Sequence, residues 1–88
     1  MSIILKIYTP EKVYTPHKAD KVVLPIDKGN LTVLHGRAPR SQVLKEGVVQ
    51  LLDENNNAFK KWHVGGGVAE IAQDVCQIAV EDVQEIQP

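Results

Sequence analysis

Apolar residues in this chain recur every second position, in runs too short for anything but strands. Ile3, Leu5 and Ile7 alternate with Ile4, Lys6 and Tyr8. That is the period of a pleated strand with one buried face, not the 3.6-residue period of a helix. Thr9-Pro10 ends the run, because proline donates no backbone hydrogen bond and biases the residue before it to extended geometry. Val13-Tyr14 is a second short run closed by Thr15-Pro16. Lys18 to Leu24 is a third, with Pro25 as its expected stop. Asp27-Lys28-Gly29-Asn30 is a turn by composition, and Leu31 to Leu34 is a strand that ends at His35-Gly36.

Arg37 to Lys45 has no clear period, with Pro39 inside it and Gly47 beyond it. Val48 to Leu52 and Ala58 to Val64 are strands joined by Asp53-Glu54-Asn55-Asn56-Asn57, a hairpin loop by its asparagines. On the return strand Ala58, Lys60, Trp62 and Val64 share one face, and Phe59, Lys61 and His63 the other. After Gly65-Gly66-Gly67, Val68 to Ala72 and Val75 to Glu81 make a hairpin around Gln73-Asp74. Glu81 to Gln87 reads as at most a helical turn. Eight or so short strands separated by Pro, Gly and Asn predict an all-β fold, a flattened antiparallel β-sandwich of two sheets. The expected core is Ile7, Val23, Leu24, Val33, Leu51, Val64, Ile71, Ile78 and Val80. No linker, repeat or low-complexity tract divides residues 1–88, so one β-sandwich domain is expected.

Composition narrows function by exclusion. Ten basic residues against eleven acidic ones give a net charge of −1, unlike a basic nucleic-acid binder. Aromatic residues make up 5%, too few for a base-stacking platform. No apolar run reaches the roughly 20 residues of a membrane helix, and no secretory signal pattern opens the chain. Gly65-Gly66-Gly67 is followed by a strand rather than a helix, which fits a close backbone approach better than a phosphate cradle. His17, His35 and His63 lack metal-ligand spacing. Cys76, the single cysteine, reads as a buried structural thiol. Ser41 lacks a nucleophile elbow. Glu70, Asp74, Glu81 and Asp82 are plausible carboxylates, but among alternating strands they read as solvated faces first. Nothing in these residues asks for catalysis.

One arrangement is more specific than any single motif. Tyr8-Thr9-Pro10-Glu11-Lys12 is followed by Lys21-Val22-Val23-Leu24-Pro25, then Gly29, then Leu31-Thr32-Val33-Leu34-His35-Gly36-Arg37-Ala38-Pro39. Gly47-Val48-Val49 follows, then His63-Val64-Gly65-Gly66-Gly67-Val68-Ala69-Glu70-Ile71, and Val75 to Asp82 closes the series. In order and spacing this resembles the epsilon subunit of F-type ATP synthases, over its amino-terminal β-sandwich domain. It departs from the family pattern at Ile26, Thr32, His35, Arg37, Arg40 and Val68, and Asn30 stands where the family has an acidic residue. Family members usually continue into a carboxy-terminal helical hairpin, the part that binds ATP and inhibits hydrolysis in members that do so. Here the chain reads as a short form that ends with the sandwich, whether natural or excised.

The resemblance implies a rotor-stalk subunit without catalysis or a cofactor of its own. It would couple rotation of the c-subunit ring to the gamma subunit, and so proton translocation to ATP synthesis. Implied partners are gamma, the c ring and the alpha/beta catalytic hexamer, with no nucleic acid. Contact with the membrane would be peripheral, on the cytoplasmic face of a bacterial inner membrane or the stromal face of a thylakoid. By position in the family pattern, Lys28, Gly29, Asn30 and Leu31 would meet the c ring. Arg37, Ala38, Pro39, Arg40 and the residues to Val43, Gln42 among them, would meet gamma. Read without the resemblance, the same residues also fit a stand-alone β-sandwich adaptor that binds another protein through an exposed edge or apolar patch.

Overall fold

The alternation seen in the sequence builds two five-stranded sheets whose inner faces meet in an apolar layer. A computed structural model describes residues 1–87. Pro88, the last residue of the expected domain, lies outside the described residues. The strands are β1 (Ile3–Tyr8), β2 (His17–Ala19), β3 (Lys21–Ile26), β4 (Gly29–Val33) and β5 (Arg37–Leu44). They continue as β6 (Gly47–Leu52), β7 (Ala58–Val64), β8 (Gly67–Gln73), β9 (Val75–Val80) and β10 (Val83–Ile86). The first sheet runs β2-β1-β9-β8-β5 and the second β10-β7-β6-β3-β4. All pairings are antiparallel except β1 with β9, which is parallel.

The inward positions close over one another as the period requires. Ile3, Leu5 and Ile7 of β1 lie against Cys76, Ile78 and Val80 of β9 and Ala69 and Ile71 of β8. The second sheet supplies Val22 and Leu24, Val33, Val49 and Leu51, and Trp62 and Val64. Removing each such aliphatic side chain from water contributes about 1.5–3 kcal/mol. Among the described residues no polar or charged side chain is buried.

Eight of the nine expected core residues belong to this layer. Val23 does not: it is buried, but alternation turns it away from Val22 and Leu24 onto the outer face of the second sheet. Five other expectations need correction. Lys18 to Leu24 is not one strand: the chain changes sheets at Asp20, which divides it between β2 and β3. Pro25 does not stop β3. Its pairing with β6 covers only Lys21–Val23, so the missing N–H of Pro25 interrupts no paired position on that side. On the other side β3 continues opposite β4, with Pro25 facing Asn30. Arg37–Leu44 is not irregular but the longest strand, bulged between Arg37 and Arg40 where Pro39 sits. Val13-Tyr14 is no strand; Val13 makes a single bridge to Tyr8. The stretch after Glu81 forms β10, paired with β7, rather than a helical turn.

The three glycines carry the chain from the second sheet to the first. Gly65 N–H donates to Asp82 O (3.1 Å) and Glu81 N–H to Gly66 O (3.2 Å), so this crossover is tied to the one between β9 and β10. Gly67 then enters β8 between Leu44 and Val80. A Cβ there would overlap the carbonyl of Ala79, whereas at Gly66 the nearest atom, Leu44 O, is 3.3 Å away. Gly67→Ala should therefore lower stability by about 2 kcal/mol or more, and Gly66→Ala by clearly less. Urea denaturation of the two variants checks the order.

Candidate functional site

The hairpin of β3 and β4 and the strand that follows it build one rim of the sandwich. Lys28 (φ +63°) and Gly29 (φ +148°) take the backbone through a tight reversal between Ile26 and Gly29. Lys28, Gly29 and Asn30 are exposed, while Leu31 is half-buried and packs against the core. After Gly36, which turns with φ +76°, the chain changes sheets and returns as β5. β4 and β5 are edge strands of opposite sheets, so the rim between them is an open side of the sandwich.

A cleft of about 380 Å³ runs along this rim. Its walls are Leu31 and Thr32 from β4 and Arg37, Ala38, Pro39 and Arg40 from β5. Its floor is apolar, formed by the buried Val33 and Ile71. The Arg37 guanidinium donates to Thr32 O (3.3 Å) and that of Arg40 to Gln42 Oε1 (2.7 Å). Gln42 in turn donates to Val43 O (3.0 Å). The structure thus gathers Leu31 with Arg37, Ala38, Pro39 and Arg40. Lys28, Gly29 and Asn30 stand apart at the hairpin tip, and Gln42 lies further along β5, outside the cleft lining. Sequence reasoning missed Thr32, Val33 and Ile71. The Ile71 contribution rests on the pairing of Arg40 with Ile71 across β5 and β8, a long-range register with no local signal.

A second exposed feature crosses the outer face of the first sheet. Register aligns Val43, Val68, Ala79, Tyr8 and Val13 in one row. The next row is polar: Ser41 donates to Glu70 (2.8 Å) and Tyr8 O–H to Gln77 Oε1 (3.2 Å).

The other reactive groups are placed structurally. Cys76 is fully buried, and burial pushes its thiol up to about 12, the opposite of a nucleophile's setting. His17 lies against Trp62, ring centroids 5.0 Å apart. His63 Nε2 is 3.4 Å from Glu46 Oε2. Among the described residues no three His, Cys, Asp or Glu side chains are grouped to hold a metal ion. No helix of the structure is long and apolar enough to cross a membrane.

Comparison with known proteins gives this geometry a context. The family model described as "ATP synthase, Delta/Epsilon chain, beta-sandwich domain" matches residues 2–86. The ATP synthase epsilon chain of Granulibacter bethesdensis is 33% identical over 82 residues, 93% of this chain and 60% of its own length. The chloroplastic epsilon chain of Phaeodactylum tricornutum is 33% identical over 86 residues, 98% of this chain and 63% of its own. The chain therefore spans about three-fifths of the length of these curated relatives. Among solved structures, a chain of the Euglena gracilis mitochondrial ATP synthase (OSCP/F1/c-ring) superposes with a TM-score of 0.81 at 19% identity, covering 96% of this chain and 53% of that one. A chain of the Tetrahymena thermophila mitochondrial ATP synthase central stalk and c-ring gives 0.71 at 18%, covering 94% and 66%. At such identities these two likenesses show the fold alone.

Two outcomes follow from the buried groups. Cys76 should resist thiol-alkylating reagents in the folded chain and react at a rate set by unfolding, rising steeply in urea. His17 is held below its ordinary 6.5, first by burial and then by Lys60, with Glu85 opposing. The folded chain keeps His17 neutral where the unfolded chain begins to take up a proton. Its contribution to stability is complete above pH 6.5 and is lost as pH falls through the folded value. His17→Gln should flatten the decline in urea midpoint between about pH 7 and about pH 5.

Proposed function

The chain belongs to the β-sandwich domain family of the ATP synthase delta and epsilon chains, and we propose that it works as a rotor-stalk subunit of an F-type ATP synthase. In this role it joins the c-subunit ring to the gamma subunit, beneath the alpha/beta hexamer, and passes on rotation without catalysing a step itself. The complex would sit on the cytoplasmic face of a bacterial inner membrane, or the stromal face of a thylakoid. The observation that carries the reading is the match over residues 2–86, which runs through every strand of both sheets.

The physics of the fold supports it. A body that transmits torque must not shear, and two sheets interlocked by close-packed aliphatic side chains deform little. We assign the ring contact to the hairpin tip at Lys28, Gly29 and Asn30, with Leu31 anchoring the tip to the core. We assign the gamma contact to Arg37, Ala38, Pro39, Arg40 and Gln42. One rim then carries both contacts, so ring and gamma are joined through a single short stretch of backbone.

The test is assembly. The unmodified chain should co-purify with its own gamma subunit and c ring. Asn30→Trp and Ala38→Trp add bulk at exposed positions and should each weaken the complex about tenfold or more, with unchanged urea midpoints. An unmodified chain that joins neither partner overturns the reading. Tryptophan variants that assemble as the parent does would show that the contacts lie elsewhere.

A further inference from the structure

Charge along this chain is not scattered. The stretch from Lys28 to Lys45 carries four of the ten basic residues, Lys28, Arg37, Arg40 and Lys45, and none of the eleven acidic ones. The remainder of a chain of net charge −1 is therefore acidic. Folding does not cancel the difference. Among the described residues neither Arg37 nor Arg40 has a carboxylate within 4.0 Å. Glu70, which lines the neighbouring hollow with Arg40, accepts from Ser41 and forms no ion pair with either arginine. Asp27 and Asp74 lie in the turns at the margins, with no ion pair to the rim.

We propose that the β4–β5 rim is a docking site for an acidic segment of a protein partner, whose carboxylates are seated by Arg37 and Arg40 in the cleft. The proposal rests on the rotor-stalk reading and names the chemistry of the partner at that contact. Three observations select this occupant. Both charged residues in the cleft are arginine, whose planar fork meets a carboxylate with two parallel hydrogen bonds, where a lysine offers a point charge. The floor of Val33 and Ile71 is apolar, so an ion pair formed above it is less screened than one on open surface. Strand addition to β5 is disfavoured, because Pro39 lacks an N–H and the strand is bulged between Arg37 and Arg40. On the β5 side recognition therefore falls to the side chains, and both arginines lie there. Lys28 and Lys45, at the two ends of the stretch, extend the positive field and steer the approach of an acidic partner. Asn30, exposed at the hairpin tip, adds a hydrogen-bonding group without a repelling charge.

The test uses the chain reconstituted with its own gamma subunit and c ring. Arg37→Glu with Arg40→Glu should weaken assembly at least about tenfold at low salt, and Arg37→Gln with Arg40→Gln by a smaller factor. Binding of the parent should fall as salt rises from about 20 to about 300 mM, and that dependence should shrink in both variants. Arg37→Lys with Arg40→Lys places amines in the cleft. Carbodiimide treatment should then link position 37 or 40 to an Asp or Glu of gamma or of a c subunit, identified by mass spectrometry. Should the glutamate variant fail to fold, the glutamine and lysine variants decide the matter. Assembly indifferent to the substitutions and to salt overturns the proposal and leaves the rotor-stalk reading standing. Cross-links confined to other lysines do the same. If the parent instead binds phosphatidylglycerol vesicles and the glutamate variant does not, the rim faces lipid and the proposal falls. A parent that never joins gamma or the ring overturns both readings.

Discussion

The structure depends on one constraint: two pleated surfaces must present their aliphatic sides to each other at every second residue. A slip of one residue in any strand would turn its buried set outward. The chain meets the constraint by changing sheets five times, at Asp20, between β4 and β5, at Lys45-Glu46, at Gly65-Gly66 and at Glu81-Asp82. Most of these passages are pinned by backbone hydrogen bonds. Asp20 N–H reaches Leu52 O, Lys45 N–H reaches Pro25 O, and the last two passages bond to each other. Each bond fixes the passage of the chain from one sheet to the other and adds to the register that the interlocked side chains already hold.

The parts of this plan legible in the sequence are those written in local period. β1, β6, β7 and β9 announce their inward faces, and the Asp53–Asn57 loop announces its reversal. In that loop Asp53 Oδ1 accepts from the N–H groups of Asn55 and Asn57, and Asn56 takes φ +66°. What misled was punctuation whose meaning depends on a distant partner. Pro25 reads as a stop until the short pairing of β3 with β6 is known. Pro39 reads as a break in the period until β8 is seen to pair on both sides of the bulge. Val83 to Ile86 has too little alternation to be seen as a strand; its partner is β7 and its support is Val83 packing on the core. The rim is legible in the same partial way. Its basic residues are adjacent in sequence, but Ile71 comes from a strand some thirty residues away.

The two open sides of the sandwich are finished differently, and the contrast bears on function. Beside β2 and β10, the side opposite the rim, the gap is dressed with aromatic residues and balanced charge. Tyr14 packs on the core with Lys12 Nζ 4.6 Å from its ring centroid, His17 tilts against Trp62, and Lys60 pairs with Glu85 at 3.1 Å. A groove remains there, and its charged groups already have partners within the chain: Glu85 pairs with Lys60, and Lys12 lies over the Tyr14 ring. Exposed pairs such as Lys60–Glu85 add little stability, about 0–1 kcal/mol, yet they neutralise an edge that would otherwise attract company.

At the β4–β5 side the same need to blunt an edge is met without neutralisation. On β5 a proline, a bulge and two arginines work against the addition of another strand, with charges of one sign. Arginine laid along an edge deters further strands as lysine does, so the protection alone would not require the planar fork. Nor does it require an apolar floor beneath the forks, over which a pairing carboxylate would be less screened than on open surface. Two exposed arginines without a carboxylate among the described residues, set over apolar side chains, leave charge on this rim for a partner to meet. By that measure the rim, rather than the aromatic groove opposite, is the side of the sandwich on which the proposed contact falls.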